Sequence, residues 1–257
     1  SVIQAFFHAN SGGYTEACEN VWSSSIPYIQ PVPSPYDSYA LQVAQSNGWP
    51  ASTYQWERTF TRAEISELIN KWNSGHPEDP IRIGEFKELR ASRQAVNPAT
   101  NEFMSTQTVS QRVTQLDFVG SSGVKSFFKD KVRSVLNLPS SLFNIYTDSM
   151  VSIWNAFGYL ETVSVTKDLI AITVDGYRSN LNGNNSAYYV ATADGVKQVS
   201  KQFSSLTISG KGSGHGLGLS QWGARGMAAQ GSNYQQIIYY YYGQGNMNGA
   251  IQIRSYL

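Results

Sequence analysis

Between residues 210 and 218 glycine occupies every second position, in the run Gly-Lys-Gly-Ser-Gly-His-Gly-Leu-Gly. Read as an extended strand, the run has one face of bare backbone, while the other carries Lys211, Ser213, His215, Leu217 and Leu219. Glycine inside a strand forgoes side-chain packing and costs roughly 0.5–1 kcal/mol relative to alanine. Five in register therefore predict close approach by a ligand or by another backbone. The period then changes. Ser220 is placed to cap a helix whose Trp222, Met227 and Ala228 offer apolar surface and which Gly231 ends. A glycine strand feeding a helix N-terminus, with one histidine at the junction, is the pattern of a site.

At 257 residues the chain is long enough to bury one large core or two modest ones, and 41% hydrophobic content with 13% aromatics argues for a folded chain. A net charge of +1 and 14% charged residues supply no basic field for nucleic acid and no polybasic membrane patch. Sixteen Tyr and six Trp beside so few charges suit sugar-binding surfaces, and equally core or interface filling. The single cysteine, Cys18, excludes an internal disulfide and leaves the compartment open. No apolar run approaches the roughly 18–20 residues that span a bilayer. The opening Ser-Val-Ile-Gln-Ala-Phe-Phe-His shows neither a basic start nor a long apolar stretch of a signal peptide.

Residues 2–9 read as a buried strand whose neighbour comes from outside this chain or from a rearranged element. Ser11-Gly12-Gly13 forces a turn, and Pro27, Pro31, Pro33 and Pro35 keep the next segment extended. Thr61 and Glu64 form a capping box ahead of Ile65, Leu68, Ile69 and Trp72 at helical spacing, with Gly75 and Pro77 ending the helix. Residues 102–104 and 108–119 read as strands, and residues 125–137 as a helix with Phe128, Val132, Val135 and Leu136 on one side. Residues 151–209 are strand-like, with a polar turn over 180–186. A last helix spans about 233–242, carrying Ile237, Ile238 and four consecutive tyrosines. With no internal repeat and no linker, the expected fold class is α+β, a mixed but mostly antiparallel sheet with a few packed helices, in a single domain with insertions near 38–101 and 146–204.

Three blocks, in order, carry a resemblance. Phe7-His8-Ala9-Asn10-Ser11-Gly12-Gly13-Tyr14-Thr15-Glu16 with Val21-Trp22 and Pro27-Tyr28-Ile29 resembles a signature of the stage II sporulation protein D and amidase-enhancer family. Val132-Arg133-Ser134-Val135-Leu136 with residues 140–145 resembles its middle segment. Gly214-His215-Gly216, Ser220-Gln221-Trp222-Gly223-Ala224 and Tyr241-Tyr242-Gly243 resemble its C-terminal signature. The resemblance implies a bacterial cell-wall protein acting on peptidoglycan, either a lytic transglycosylase or a stimulator of an amidase, exported to the envelope or beyond. It also implies that the catalytic glutamate of cleaving members, and the Cys/His loop through which some members hold zinc, lie upstream of the Ser-Gly-Gly block in a segment this sequence lacks. A companion N-terminal fragment and a cell-wall amidase are the protein partners so implied, beside peptidoglycan glycan strands, with no cofactor.

Cleaving a glycan needs a carboxylic acid that protonates the leaving oxygen and then activates the sugar's own hydroxyl. Glu16 is the nearest carboxyl to a matching block; its other reading is a loop or capping hydrogen bond. His215, among glycines that open the backbone to a substrate, is the second catalytic candidate, against a role in tying loop carbonyls together. His8 reads as a cleft lining or as a satisfied core group. Ser11, Gly12, Gly13 and Thr15, and Ser213, Gly214 and Gly216, are candidates for substrate contact, and also routine turn residues. Gln221 and Trp222 stand in the first helical turn, where an amide and an indole suit a sugar; Trp222 suits the core equally. Gly218-Leu219-Ser220-Gln221-Trp222 breaks the serine-hydrolase elbow at its last position, and the glycine run lacks a dinucleotide fingerprint. His8, Cys18, His76 and His215 have no short ligand spacing, so no metal site is expected.

Overall fold

The computed structural model describes residues 2–22, 24–47, 53–154, 157–164, 170–172, 176, 178–180, 187–192, 195–243 and 251–253. The fold is α+β with mostly antiparallel strand pairs. The chain forms two compact units: Ser1–Glu57 with Leu68–Asn144 and Ser209–Leu257, and Arg58–Glu67 with Ile145–Ile208.

In the larger unit, strands Phe86–Ser92, Gln115–Gly120 and Val124–Phe128 form an antiparallel sheet in that order. Its inner face buries Phe86, Leu89, Leu116, Phe118 and Phe127. The Trp72 ring packs edge-on against Phe127 at 5.1 Å, from the helix Arg62–Gly75, which starts at the expected box: Glu64 N–H donates to Thr61 Oγ1 while Thr61 N–H donates to Glu64 Oε2. A second core gathers Cys18, Val21, Ile29, Leu217, Met227, Ile237, Tyr241 and Tyr242. Helix Gln221–Ala229 is capped by Ser220, whose Oγ accepts from Gly223 N–H, and helix Tyr234–Tyr242 by a reciprocal Asn233/Gln236 box. Helix Tyr39–Asn47, unannounced by the sequence, packs Ala40 and Val43 on Trp222. In the smaller unit, Met150–Trp154 pairs with Leu160–Ser164 and Ala187–Thr192 with Gly195–Ser200, both antiparallel, as the strand-like pattern predicts. Residues 181–186 of the expected polar turn lie outside the described residues.

Four expectations are corrected. Residues 2–6 form no strand, and Val2 is 84% exposed; only Phe7–His8 is extended, pairing in parallel with Leu219–Ser220 of the same chain. The helix expected over 125–137 is instead the strand Val124–Phe128 followed by a 3-10 turn, Lys129–Arg133. A positive φ of 56° at Lys129 breaks the helical path, and Lys129 N–H donates to Thr114 O instead. Val132, Val135 and Leu136 are still buried, while Phe128 is 44% exposed. Of residues 108–119, only those from 115 on form a strand, and the preceding bend buries Thr108, Ser110, Arg112 and Thr114.

The glycine run is the fourth correction. The strand Ser205–Lys211 ends as the run begins, and Gly212, Gly214, Gly216 and Gly218 all take positive φ. The anticipated close approach is real, and the approaching group is the chain itself. Asn10 and Ser213 exchange backbone hydrogen bonds, and Glu16 N–H donates to Gly216 O at 2.9 Å. A Cβ at Gly216 would stand 2.5 Å from Cζ of the buried Arg112, so only glycine fits there. Gly231 has a similar φ of 91° with nothing within 4 Å of its missing Cβ. Gly231→Ala should therefore cost about 1–2 kcal/mol, the left-handed backbone penalty alone, and Gly216→Ala distinctly more, as read by urea unfolding. Equal losses would contradict this account of the glycine run.

Candidate functional site

The Ser11-Gly12-Gly13 loop and the glycine run, about 200 residues apart, meet backbone to backbone. A Cβ at Gly12 would lie 2.9 Å from Gly212 N, so the two segments touch instead of facing each other across a gap. Asp37 binds this junction to the helix behind it. Its carboxylate accepts from Ser11 Oγ at 2.6 Å, from Gly13 N–H at 2.9 Å and from the Ser220 hydroxyl. Ser11 N–H in turn donates to Ser220 Oγ, and Asn10 Nδ2 to Asp37 O. Asp37, Ser11 and Ser220 are fully buried.

A second buried network surrounds Glu16, which has no exposed surface. Oε1 accepts from Ala17 N–H and Asn20 Nδ2, both at 2.8 Å, and Oε2 from the Ser110 hydroxyl. Burial pushes the Glu16 carboxyl above its ordinary range, opposed by those three donors and by the charge of Arg112. The Arg112 guanidinium donates to Ser11 O at 2.7 Å and to Ser141 Oγ, which ties the two networks together. Its Nε has no partner among the described residues.

His8, 4% exposed, contacts Leu217 O through Nδ1 at 3.0 Å. A carbonyl only accepts, so Nδ1 carries the proton and Nε2, without a partner among the described residues, is left as a buried lone pair. Burial, then the charges of Arg112 and His215, bring its pKa down to about 3, so the ring stays neutral. The half-buried His215 ring lies 5.5 Å from His8 and 5.1 Å from Trp22. His215 Nδ1 accepts from Leu217 N–H at 3.0 Å, and the ring also hydrogen-bonds the Phe7 backbone. Burial lowers its pKa, with Asp130 opposing and Arg133 and Arg112 assisting.

The remaining candidates divide. Thr15 Oγ1 is bound to the Gln30 and Val32 backbone and is buried, and Trp222 is buried beneath Arg225, whose guanidinium sits 4.9 Å over its ring. Ser213 and Gly214 are half-buried, Gly216 is buried against Arg112, and Gln221 is exposed. Gly12 also lines a cleft of about 840 Å3, formed with Gln55, Trp56, Glu57, Asn144 and Lys211 among others. No three His, Cys, Asp or Glu side chains converge as a metal site among the described residues. Asp37, Arg112 and Ser110 escaped the sequence reading.

Sequence relatives bear out the resemblance that the end blocks carry to the sporulation protein D and amidase-enhancer proteins. The amidase enhancer of Bacillus subtilis (strain 168) is 28% identical over 247 residues, covering 94% of this chain and 29% of the relative. Stage II sporulation protein D of the same strain is 24% identical over 240 residues, and that of Bacillus amyloliquefaciens 23%, each covering 93% of this chain and 43% of the relative. The chain thus spans less than half the length of these relatives. No family model matches it.

The neutral state of His8 gives a pH test. Its folded pKa of about 3 lies below the unfolded 6.5, so stability is intact above pH 6.5 and falls as pH drops toward 3. The limiting slope is about 1.4 kcal/mol per pH unit. His8→Gln, which preserves a donor for Leu217 O, should flatten the loss of melting temperature between pH 6.5 and 4 relative to the parent. Parallel pH profiles would contradict a buried neutral His8.

Proposed function

We propose that this chain is a peptidoglycan-binding module of the cell envelope that assists a separate cell-wall amidase and does not itself cut glycan. One observation carries the reading: the two carboxylates built into the junction, Glu16 and Asp37, are wholly buried with their oxygens taken by fixed donors. A general acid must reach the leaving oxygen and shuttle a proton. Both groups instead hold backbone in place. Asp130, which acts electrostatically on His215, is ion-paired to Arg133 at 2.7 Å. His215 has both nitrogens engaged and burial favours its neutral form, which suits a wall of a site more than a proton donor. The relationship to an amidase enhancer agrees with this reading.

The test pairs co-sedimentation with purified sacculi and amidase turnover on the same sacculi. The chain should pellet with sacculi, raise the amidase rate, and release no anhydro-muropeptides by itself. Anhydro-muropeptide release by the chain alone would establish lytic transglycosylase activity and overturn the proposal, as would a failure to pellet.

A further inference from the structure

The 840 Å3 cleft presents chemistry absent from the His8–His215 cluster, and its lining residues belong to one compact unit. Gly212 N–H donates to Tyr54 O at 2.8 Å, and a Cβ at Gly210 would fall 2.2 Å from the Trp56 ring. Segments 54–57 and 209–212 therefore run antiparallel, with Gln55 opposite Lys211 and Glu57 opposite Ser209. Glu57 and Lys211 become diagonal neighbours on one face, about 7–8 Å apart. Both are exposed, and neither joins an ion pair among the described residues; the Lys211 ammonium sits 5.9 Å from the Tyr54 ring centre instead.

The rest of the lining narrows the ligand. Trp56 is 8% exposed and Phe143 2%, so the cleft offers no open aromatic face on which a sugar ring can stack. Arg93 donates to Gln111 O, Phe143 O and Asn144 Oδ1, which holds the wall rigid. The Gln55 amide, together with the remaining donor and acceptor sites of Gln111, whose Nε2 donates to Thr108 O, and of Asn144, whose Oδ1 accepts from Arg93, matches peptide groups. An unpaired cation and an unpaired carboxylate on one face match a ligand carrying one of each.

We propose that this cleft receives a short peptide bearing both a carboxylate and an ammonium, the first paired with Lys211 and the second with Glu57, as the stem peptides of peptidoglycan present them. The proposal rests on the wall-binding reading above and assigns the peptide part of the polymer to this cleft.

Calorimetric titration of the full chain with a synthetic stem tripeptide ending in a diamino acid, and separately with chitotetraose, tests it. The tripeptide should bind, lose affinity by about fivefold in each of Lys211→Gln and Glu57→Gln, and weaken in 1 M NaCl. Both variants replace exposed side chains and should melt with the parent, which confirms that they fold. Chitotetraose binding unaccompanied by tripeptide binding, or tripeptide binding indifferent to both substitutions, overturns the assignment. Retained sedimentation with sacculi in that event confines the failure to the cleft, whereas lost sedimentation of the parent overturns the wall-binding reading itself.

Discussion

Asp37 accepts hydrogen bonds from Ser11, Gly13 and Ser220, groups as far as 183 residues from it in sequence, and the architecture of the junction depends on that convergence. A carboxylate without solvent is costly unless donors replace the water it loses. Here the replacements come from a turn near one end of the chain and a helix cap near the other, so satisfying the charge and closing the fold are one event. Arg112 extends the tie by donating to Ser11 O and acting electrostatically on Glu16. Backbones can approach this closely only where side chains are missing, which is why the glycines are where they are.

That architecture determines what the site can do. Glu16 and Asp37 are buried and held by fixed donors, and burial favours the neutral forms of His8 and His215. What remains available is surface: the half-buried Ser213-Gly214-His215 edge and the polar cleft beside Gly12. Both suit recognition of a polar polymer.

The helices with chemical punctuation were legible in the sequence: the Thr61/Glu64 box, the Ser220 cap and the four tyrosines after Asn233 all mark elements that exist. Residues 125–137 misled because Phe128, Val132, Val135 and Leu136 satisfy a helical period while lying in a strand, a 3-10 turn and the segment just after it; strand pairing and the positive φ at Lys129 outweighed the period. The glycine run announced close approach correctly but as a strand, because alternation alone does not distinguish an extended chain from one that repeatedly enters positive φ. His8, Ser11 and His215 were brought to one place, while Thr15 and Trp222 went to the interior. Asp37, Arg112 and Ser110 left no local trace, since a buried polar residue is defined by partners distant in sequence.

The central claim is that Glu16 serves the fold and not the chemistry, and Glu16→Gln tests it most directly. The substitution keeps size but removes the charge facing Arg112 and forces one donor among Ala17 N–H, Asn20 and Ser110 to lose its acceptor, at a cost of about 1–3 kcal/mol. Melting and enhancement of amidase turnover on sacculi should be measured on the same preparation. The account predicts a lowered melting temperature with specific enhancement unchanged below the transition. An unchanged melting temperature with abolished enhancement would contradict it and give Glu16 a direct part in function.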